Sequence, residues 1–336
     1  MSAPAAVLGA GSWGTTLAVH LAGRGGPVRL WDADRANLAR IAAERENRKY
    51  LPGIALPDSV EVMSDLASAL GEAALVVWAV PSFALREVAR AARPHLAADA
   101  LEACATKGLE PPRGAGGHAS RMSEVLAQEL GERARAVLVG PSHAEEVSRG
   151  IPTSVVAAAE QLAWAEAVQA AFFAPRFRVY AQDDLIGVEL GSALKNVIAL
   201  AAGVSDGLGY GDNTKGALLT RGLAEMSRLG TALGARRETF FGLSGLGDLV
   251  TTAISRHSRN RRVGEELAQG RALDAVLAGL GQVAEGVHTA PAALALAQER
   301  AVDLPITREV VAVLFEGKSA PEALSALLGR DPKRES

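Results

Sequence analysis

Near the start of the chain, Gly9-Ala10-Gly11-Ser12-Trp13-Gly14 follows a short apolar run and opens a segment of helical period. Glycines at this spacing suit a backbone that must come close to a phosphate. Gly9 permits a tight turn, Gly11 leaves no side chain between backbone and pyrophosphate, and Gly14 lets helix and strand pack closely, while the N–H groups and dipole of the helix start attract the anion. The chemistry indicated is dinucleotide binding, with Ser12 and Trp13 at the helix start. At the end of the next apolar run stand Asp32 and Arg35. Asp32 is placed to accept hydrogen bonds from an adenosine ribose, which favours NAD, and Arg35 to clamp a 2′-phosphate, which favours NADP. Both readings stay open, as does a solvated loop charge for either residue.

Two later runs end in the polar clusters Thr106-Lys107-Gly108 and Gly140-Pro141-Ser142-His143-Ala144. An open α/β sheet presents the carboxyl ends of its strands to ligands, so Lys107 and Ser142 are candidate donors to a carbonyl or phosphate oxygen. Within the apolar segment 185–203, Glu189, Ser192, Lys195 and Asn196 fall within about a third of a helix circumference. A buried lysine loses hydration and its pKa falls, which makes Lys195 a candidate general acid and base. The alternative is a structural ion pair of Lys195 with Glu189 or another carboxylate. Further on, Gly245-Leu246-Gly247-Asp248 precedes Ser255-Arg256-His257-Ser258-Arg259-Asn260-Arg261-Arg262. Cations and hydroxyls gathered ahead of a helix attract a small dianion, unless the basic end is merely solvated, as expected for Arg261 and Arg262. Neither His143 nor His257 is expected to be catalytic, and no metal is expected.

These groups need a scaffold. Short apolar, β-branched runs at 5–8, 28–31, 60–63, 75–79, 101–105, 136–139, 153–158 and 178–181 alternate with segments of helical period, the pattern of βαβ units with parallel pairing in the early strands. After residue 183 the β-branched runs stop, and helix-length Ala/Leu/Glu/Arg segments are broken by glycine clusters at 203–211 and 242–247. The expected fold is α/β: a Rossmann-like doubly wound sheet over 1–183, then an all-helical domain over 184–330. A chain of 336 residues is long enough for both.

The formal net charge of -3, with basic residues scattered, gives no general attraction for nucleic acid or an anionic membrane. A single cysteine, Cys104, and no leader-like opening fit a cytoplasmic protein. The segment 185–203 is about long enough to cross a bilayer, but Glu189, Lys195 and Asn196 interrupt it, so a helix buried in protein is expected.

In order, GAGSWGT at Gly9, ATKGLE at Ala105, VGPSHAEEV at Val139, ELGSALKNVIALAAG at Glu189, GDNTKGALLTRGLAEM at Gly211, GLSGLGDLVTT at Gly242, SRHSRNRRVG at Ser255 and VAEGVHTA at Val283 resemble the bacterial-type NAD(P)-dependent glycerol-3-phosphate dehydrogenase family across nearly the whole chain. The resemblance implies hydride transfer between NAD or NADP and C2 of dihydroxyacetone phosphate, giving sn-glycerol 3-phosphate for phospholipid synthesis. Lys195 would exchange the proton on the C2 oxygen, and Lys107 would help polarise it. Gly140, Ser142 and Asp248 would line the substrate, with Ser258, Arg259 and Asn260 on its phosphate. Ser12, Trp13, Arg35, Ala144, Arg259, Val283 and Glu285 would contact the cofactor, and a homodimer is implied. The chain departs from the family at Trp31-Asp32-Ala33-Asp34-Arg35, where relatives commonly follow the tryptophan closely with arginine, and at Thr251-Thr252-Ala253-Ile254, which lacks a cysteine many relatives carry. The rival readings are a 3-hydroxyacid or ketopantoate reductase, against which the Ser258-Arg259-Asn260 cluster argues, and a non-catalytic NAD(P)-binding sensor, which would have no use for Lys107, Lys195 and Asp248 together. Oxidation through a thiohemiacetal needs a reactive cysteine, and Cys104 falls inside an expected strand.

Overall fold

The structure, a computed structural model, describes residues 3–114 and 117–331. Two compact units make up the chain: Met1–Lys107 with Ser120–Glu189, and Gly108–Ala119 with Leu190–Ser336. The division thus falls inside the continuous helix Leu185–Gly207, and the segment 108–119 groups with the helical unit.

The first unit is built on one eight-stranded sheet of β1 (Ala5–Leu8), β2 (Val28–Trp31), β3 (Val60–Met63), β4 (Leu75–Trp78), β5 (Leu101–Cys104), β6 (Arg135–Val139), β7 (Thr153–Ala158) and β8 (Phe177–Gln182). Its order is β8-β7-β6-β5-β4-β1-β2-β3. From β3 to β6 every neighbour is parallel, which is the doubly wound arrangement expected. Such strands are covered on both faces and read as continuous apolar runs rather than alternating ones. In β4 all four residues are buried, and in β6 all five, including Arg135, whose guanidinium donates to the buried Glu102 at 2.6 Å. The last two strands are parallel to each other but antiparallel to β6. Between β6 and β7 only the four-residue helix Ala144–Val147 intervenes, so the chain turns back instead of crossing over. The strand order reverses between β1 and β4, the switch point where α/β sheets bind ligands beyond their carboxyl ends.

The second unit is helical, with the greater part of Leu185–Gly207 joined by Asp212–Ala232, Asp248–Ile254, Arg259–Ala268, Leu273–Leu280, Glu285–Glu299, Pro305–Phe315 and Ala320–Leu328. Leu185–Gly207 has the length and hydropathy to cross a bilayer, yet 89% of its apolar window is buried in protein, as a core helix should be. It meets Arg259–Ala268 backbone to backbone. A Cβ on Gly203 would lie 1.9 Å from the Arg261 carbonyl oxygen, and one on Gly264 would lie 2.1 Å from that of Leu200.

Candidate active site

In the first unit the chain leaves β1 at Leu8 and turns at Gly9, whose φ of 112° is open to glycine at little cost. A Cβ there would sit 2.6 Å from the Ala79 carbonyl oxygen, and one on Gly14 would sit 1.8 Å from that of Gly9. At Gly11, by contrast, a Cβ would meet nothing within 4 Å. Helix Ser12–Ala22 starts there with no side-chain cap and no acidic residue in its first turn. An open flank, an uncapped helix start and no competing anion are what a pyrophosphate requires, so these residues fit a dinucleotide.

The Ala10 peptide is held from both sides. Asp32 Oδ2 accepts from its N–H at 2.5 Å, and Asn47 Nδ2 donates to its carbonyl at 2.7 Å and to Thr15 Oγ1 at 2.8 Å. Asn47 is fully buried and nothing in its spacing marks it in the sequence. Arg35 is exposed as the first residue of the helix Arg35–Glu44, which Asp34 caps. Ala144 stands against the glycine-loop helix, its carbonyl accepting from Thr16 Oγ1 at 3.4 Å. The two polar clusters at strand ends also meet: Lys107 Nζ donates to the Gly140 carbonyl at 2.8 Å and to Ser142 Oγ at 3.5 Å, and Ser142 Oγ donates to the same carbonyl at 2.9 Å.

In the second unit Lys195 is buried, with its Nζ 2.9 Å from Asp248 Oδ1 and 2.6 Å from Thr252 Oγ1. Asp248 arrives on a π-turn, Leu243–Gly247, and begins the helix Asp248–Ile254, so Thr252 lies one turn further along the same face. Thr252 escaped the sequence reading, although its four-residue spacing from Asp248 was the available signal. The polar stripe on helix Leu185–Gly207 divides: Glu189 accepts from Arg121 Nη1 at 2.6 Å and from the Ser123 N–H at 2.8 Å, so the carboxylate facing Lys195 is Asp248, not Glu189.

The phosphate candidates Ser258, Arg259 and Asn260 stand at the start of one helix. Ser258 caps the helix Arg259–Ala268, its Oγ accepting from the Arg261 N–H at 3.2 Å. Asn260 Oδ1 accepts from the Gly286 N–H at 2.9 Å, and its Nδ2 donates to Asn196 Oδ1 at 2.9 Å. The Gly286 bond ties the first turn of helix Glu285–Glu299 to the first turn of Arg259–Ala268. Arg261 is not merely solvated, whereas Arg262 stays 55% exposed to solvent, as expected. Arg261 pairs with Asp206 at 2.6 Å and Glu265 at 2.7 Å, and Arg262 with Glu266 at 2.8 Å. Burial pushes the Cys104 thiol up to about 12, so it supplies no thiolate nucleophile near neutral pH. Among the described residues no group of three His, Cys, Asp or Glu could hold a metal ion.

Comparison with known proteins places this arrangement. The model of the NAD-dependent glycerol-3-phosphate dehydrogenase N-terminus matches residues 4–165, and that of the C-terminus residues 184–325. The chain is 51% identical to a glycerol-3-phosphate dehydrogenase [NAD(P)+] of Chlorobium phaeobacteroides over 98% of each chain. It is 50% identical to that of Geobacillus thermodenitrificans over 98% of this chain and 95% of the relative. The crystal structure of glycerol-3-phosphate dehydrogenase from Coxiella burnetii superposes with a TM-score of 0.93 at 40% identity, covering 98% of this chain and 99% of that one. A ketopantoate reductase from Ralstonia eutropha, at TM-score 0.61 and 17% identity, shares the fold alone. With both family models matched in order and half of its residues shared with relatives along their full length, the chain belongs to the NAD-dependent glycerol-3-phosphate dehydrogenase family.

Proposed function

We propose that the chain catalyses reversible reduction of dihydroxyacetone phosphate to sn-glycerol 3-phosphate with NADH or NADPH. The observation that carries this reading is the buried Lys195 amine held between Asp248 and Thr252 on the helical unit. When bound, the reduced nicotinamide supplies a hydride to C2. Lys195 delivers a proton to the C2 oxygen during reduction and receives it in the reverse direction. Asp248 balances the ammonium charge, and Thr252 fixes the amine's direction, so little reorganisation is needed as charge develops. Ser258, Arg259 and Asn260 are assigned to the substrate phosphate, since a helix start with a guanidinium suits a dianion.

The first unit contributes the dinucleotide groove through Gly9, Gly11, Ser12, Trp13, Gly14 and Ala144, and oxygen-directed donors through Lys107 and Ser142, next to Gly140. Arg35, Arg259, Val283 and Glu285 are assigned to the cofactor as well. Functionally the chain divides at 183, into a cofactor domain 1–183 and a substrate domain 184–330. The relatives' activity supports a supply of glycerol 3-phosphate to phospholipid synthesis, and the single buried cysteine fits a cytoplasmic setting; a homodimer rests on the family resemblance alone. A ketopantoate-type reductase is not favoured, because that likeness extends to the fold alone.

The test is to mix the protein with dihydroxyacetone phosphate and either reduced coenzyme and follow loss of the nicotinamide absorbance. Oxidation dependent on the triose phosphate is expected. No oxidation with either coenzyme would leave a dinucleotide-binding protein without this reaction.

A further inference from the structure

The connection between helix Arg35–Glu44 and β3, residues 45–59, is pinned at several points and carries the fully buried side chain of Asn47. Arg45 opens it in the left-handed region, with φ 52°, and its guanidinium donates to the carbonyls of Pro57 at 2.6 Å and Val60 at 3.0 Å. Glu46 accepts from the Gly53 N–H at 2.9 Å, and the Asn47 carbonyl accepts from the Leu51 N–H at 2.7 Å. Leu51 and Leu56 are buried on the same stretch. None of these bonds uses the Asn47 side chain. The connection therefore holds its own shape and presents that amide to another part of the unit.

What receives it is the glycine turn. Asn47 Nδ2 donates to the Ala10 carbonyl at 2.7 Å and to Thr15 Oγ1 at 2.8 Å, while its Oδ1 accepts from Asn37 Nδ2 at 3.4 Å. A carbonyl can only accept, so the nitrogen end of the amide must face Ala10. Both N–H groups of one amide are thus spent, one on the turn and one on the first turn of helix Ser12–Ala22. Asp32 holds the Ala10 N–H, but that group belongs to the Gly9–Ala10 peptide. The Ala10 carbonyl belongs to the next peptide, Ala10–Gly11, at a residue whose backbone is otherwise free to rotate. Asn47 fixes that plane and ties it to the helix whose uncapped N–H groups face an anion. A loop ordered before its ligand arrives spares the ligand the cost of ordering it. Without the amide, the carbonyl of the fully buried Ala10 loses its donor, and the peptide is driven to turn towards another.

We infer that Asn47 is a positioning residue for the coenzyme: from a connection outside the glycine motif, its amide presets the Ala10–Gly11 peptide for the pyrophosphate. The inference rests on the proposed dinucleotide groove, and binding alone tests it. The full-length protein is titrated with NADH and with NADPH, following the fluorescence of the reduced nicotinamide, and a thermal melt of each variant reports folding. Asn47→Ala should raise the NADH Kd at least about tenfold, roughly 1.4 kcal/mol. Asn47→Asp keeps the size of the side chain but sets an oxygen against the Ala10 carbonyl, so it should weaken NADH at least as much. Both coenzymes share the pyrophosphate, so the ratio of their Kd values should stay within a factor of about two in each variant. Leu56→Ala is the control. It loosens the same connection from the core without touching Ala10, so it should lower Tm yet leave the NADH Kd within about twofold. Should the alanine variant fail to fold, Asn47→Ser gives the same reading, since its hydroxyl cannot serve both acceptors. A folded Asn47 variant that binds NADH as the unmodified protein does overturns the inference. So does a Leu56→Ala variant that loses as much affinity as Asn47→Ala at a comparable loss of Tm. If the unmodified protein binds neither coenzyme, the inference and the proposed function fall together; if the Asn47 variants bind normally while the unmodified protein oxidises NADH with dihydroxyacetone phosphate, only the inference falls.

Discussion

Lys195 illustrates how a buried ammonium is kept in a protein interior: it has a carboxylate at 2.9 Å, a hydroxyl at 2.6 Å, and almost no exposure. A buried charge without such partners is strongly unfavourable, so the group has been placed rather than merely tolerated. Its helical period singled it out in the sequence, because a cation inside an apolar helix needs a reason. Its partner was less legible. Asp248 is distant in sequence, and no spacing rule links it to Lys195; only the resemblance to the family named it as lining the substrate. Asn47 was not legible at all, since a buried asparagine serving a neighbouring loop leaves no periodic trace. If Lys195 moves the proton, Lys195→Ala should lower kcat by about 10²–10⁴-fold. The NADH Kd should stay within a factor of about two, since Asp248 and Thr252, which hold the Lys195 amine, lie on the helical unit and not in the glycine loop. Turnover near the unmodified level would remove Lys195 from the chemistry.

Elements, unlike partners, were read well from the residues. Short β-branched runs became strands because parallel strands bury both faces, and the six from β3 to β6 took the expected parallel order. The reversal at β7 and β8 was not legible, because it depends on the short connection after β6 and not on the strands themselves. Nor was it visible that residues 108–119 would group with the helical unit. What positions the phosphate candidates is a helix pair in contact through glycine: Gly264, on the helix that Ser258 caps, faces the Leu200 carbonyl. Gly264→Ala sets two effects against each other. Alanine favours a helix interior by about 1 kcal/mol over glycine. Its Cβ would lie 2.1 Å from a backbone oxygen, and overpacking of a close contact costs about 1–3 kcal/mol or more. Backbone cannot rotate away as a side chain can, so the clash wins and the helices must separate. A lower Tm is expected, together with a several-fold higher KM for dihydroxyacetone phosphate and an unaltered NADH Kd. A Tm at or above that of the unmodified protein would show that the helix pair has slack.

At the scale of the whole molecule, stability against pH should carry the mark of one buried carboxyl. Glu225, on helix Asp212–Ala232, accepts from the N–H groups of Ile306 and Thr307 and from the Thr307 hydroxyl, and so serves the first turn of helix Pro305–Phe315, which has no side-chain cap of its own. Burial raises its pKa from the ordinary 4.5 to about 7, outweighing those three donors, which act the other way. A carboxyl raised in the folded state binds its proton more tightly there than in the unfolded chain. Its stabilising contribution is therefore complete below about 4.5, and it is lost as pH rises through about 7. For a shift of this size the loss is at most ~3 kcal/mol. Carboxylates held below their usual range, such as Asp34 and Glu129, have the opposite slope at lower pH, so the raw Tm profile mixes the two. The difference in Tm between the unmodified protein and Glu225→Gln removes the shared contributions, because glutamine keeps the shape and one acceptor but cannot ionise. That difference should move against the unmodified protein as pH rises from about 5 to about 7.5 and then level off. A difference that is flat across this range, or that moves the other way, would mean that the donors from Ile306 and Thr307 hold the carboxylate ionised throughout and that burial is the lesser effect.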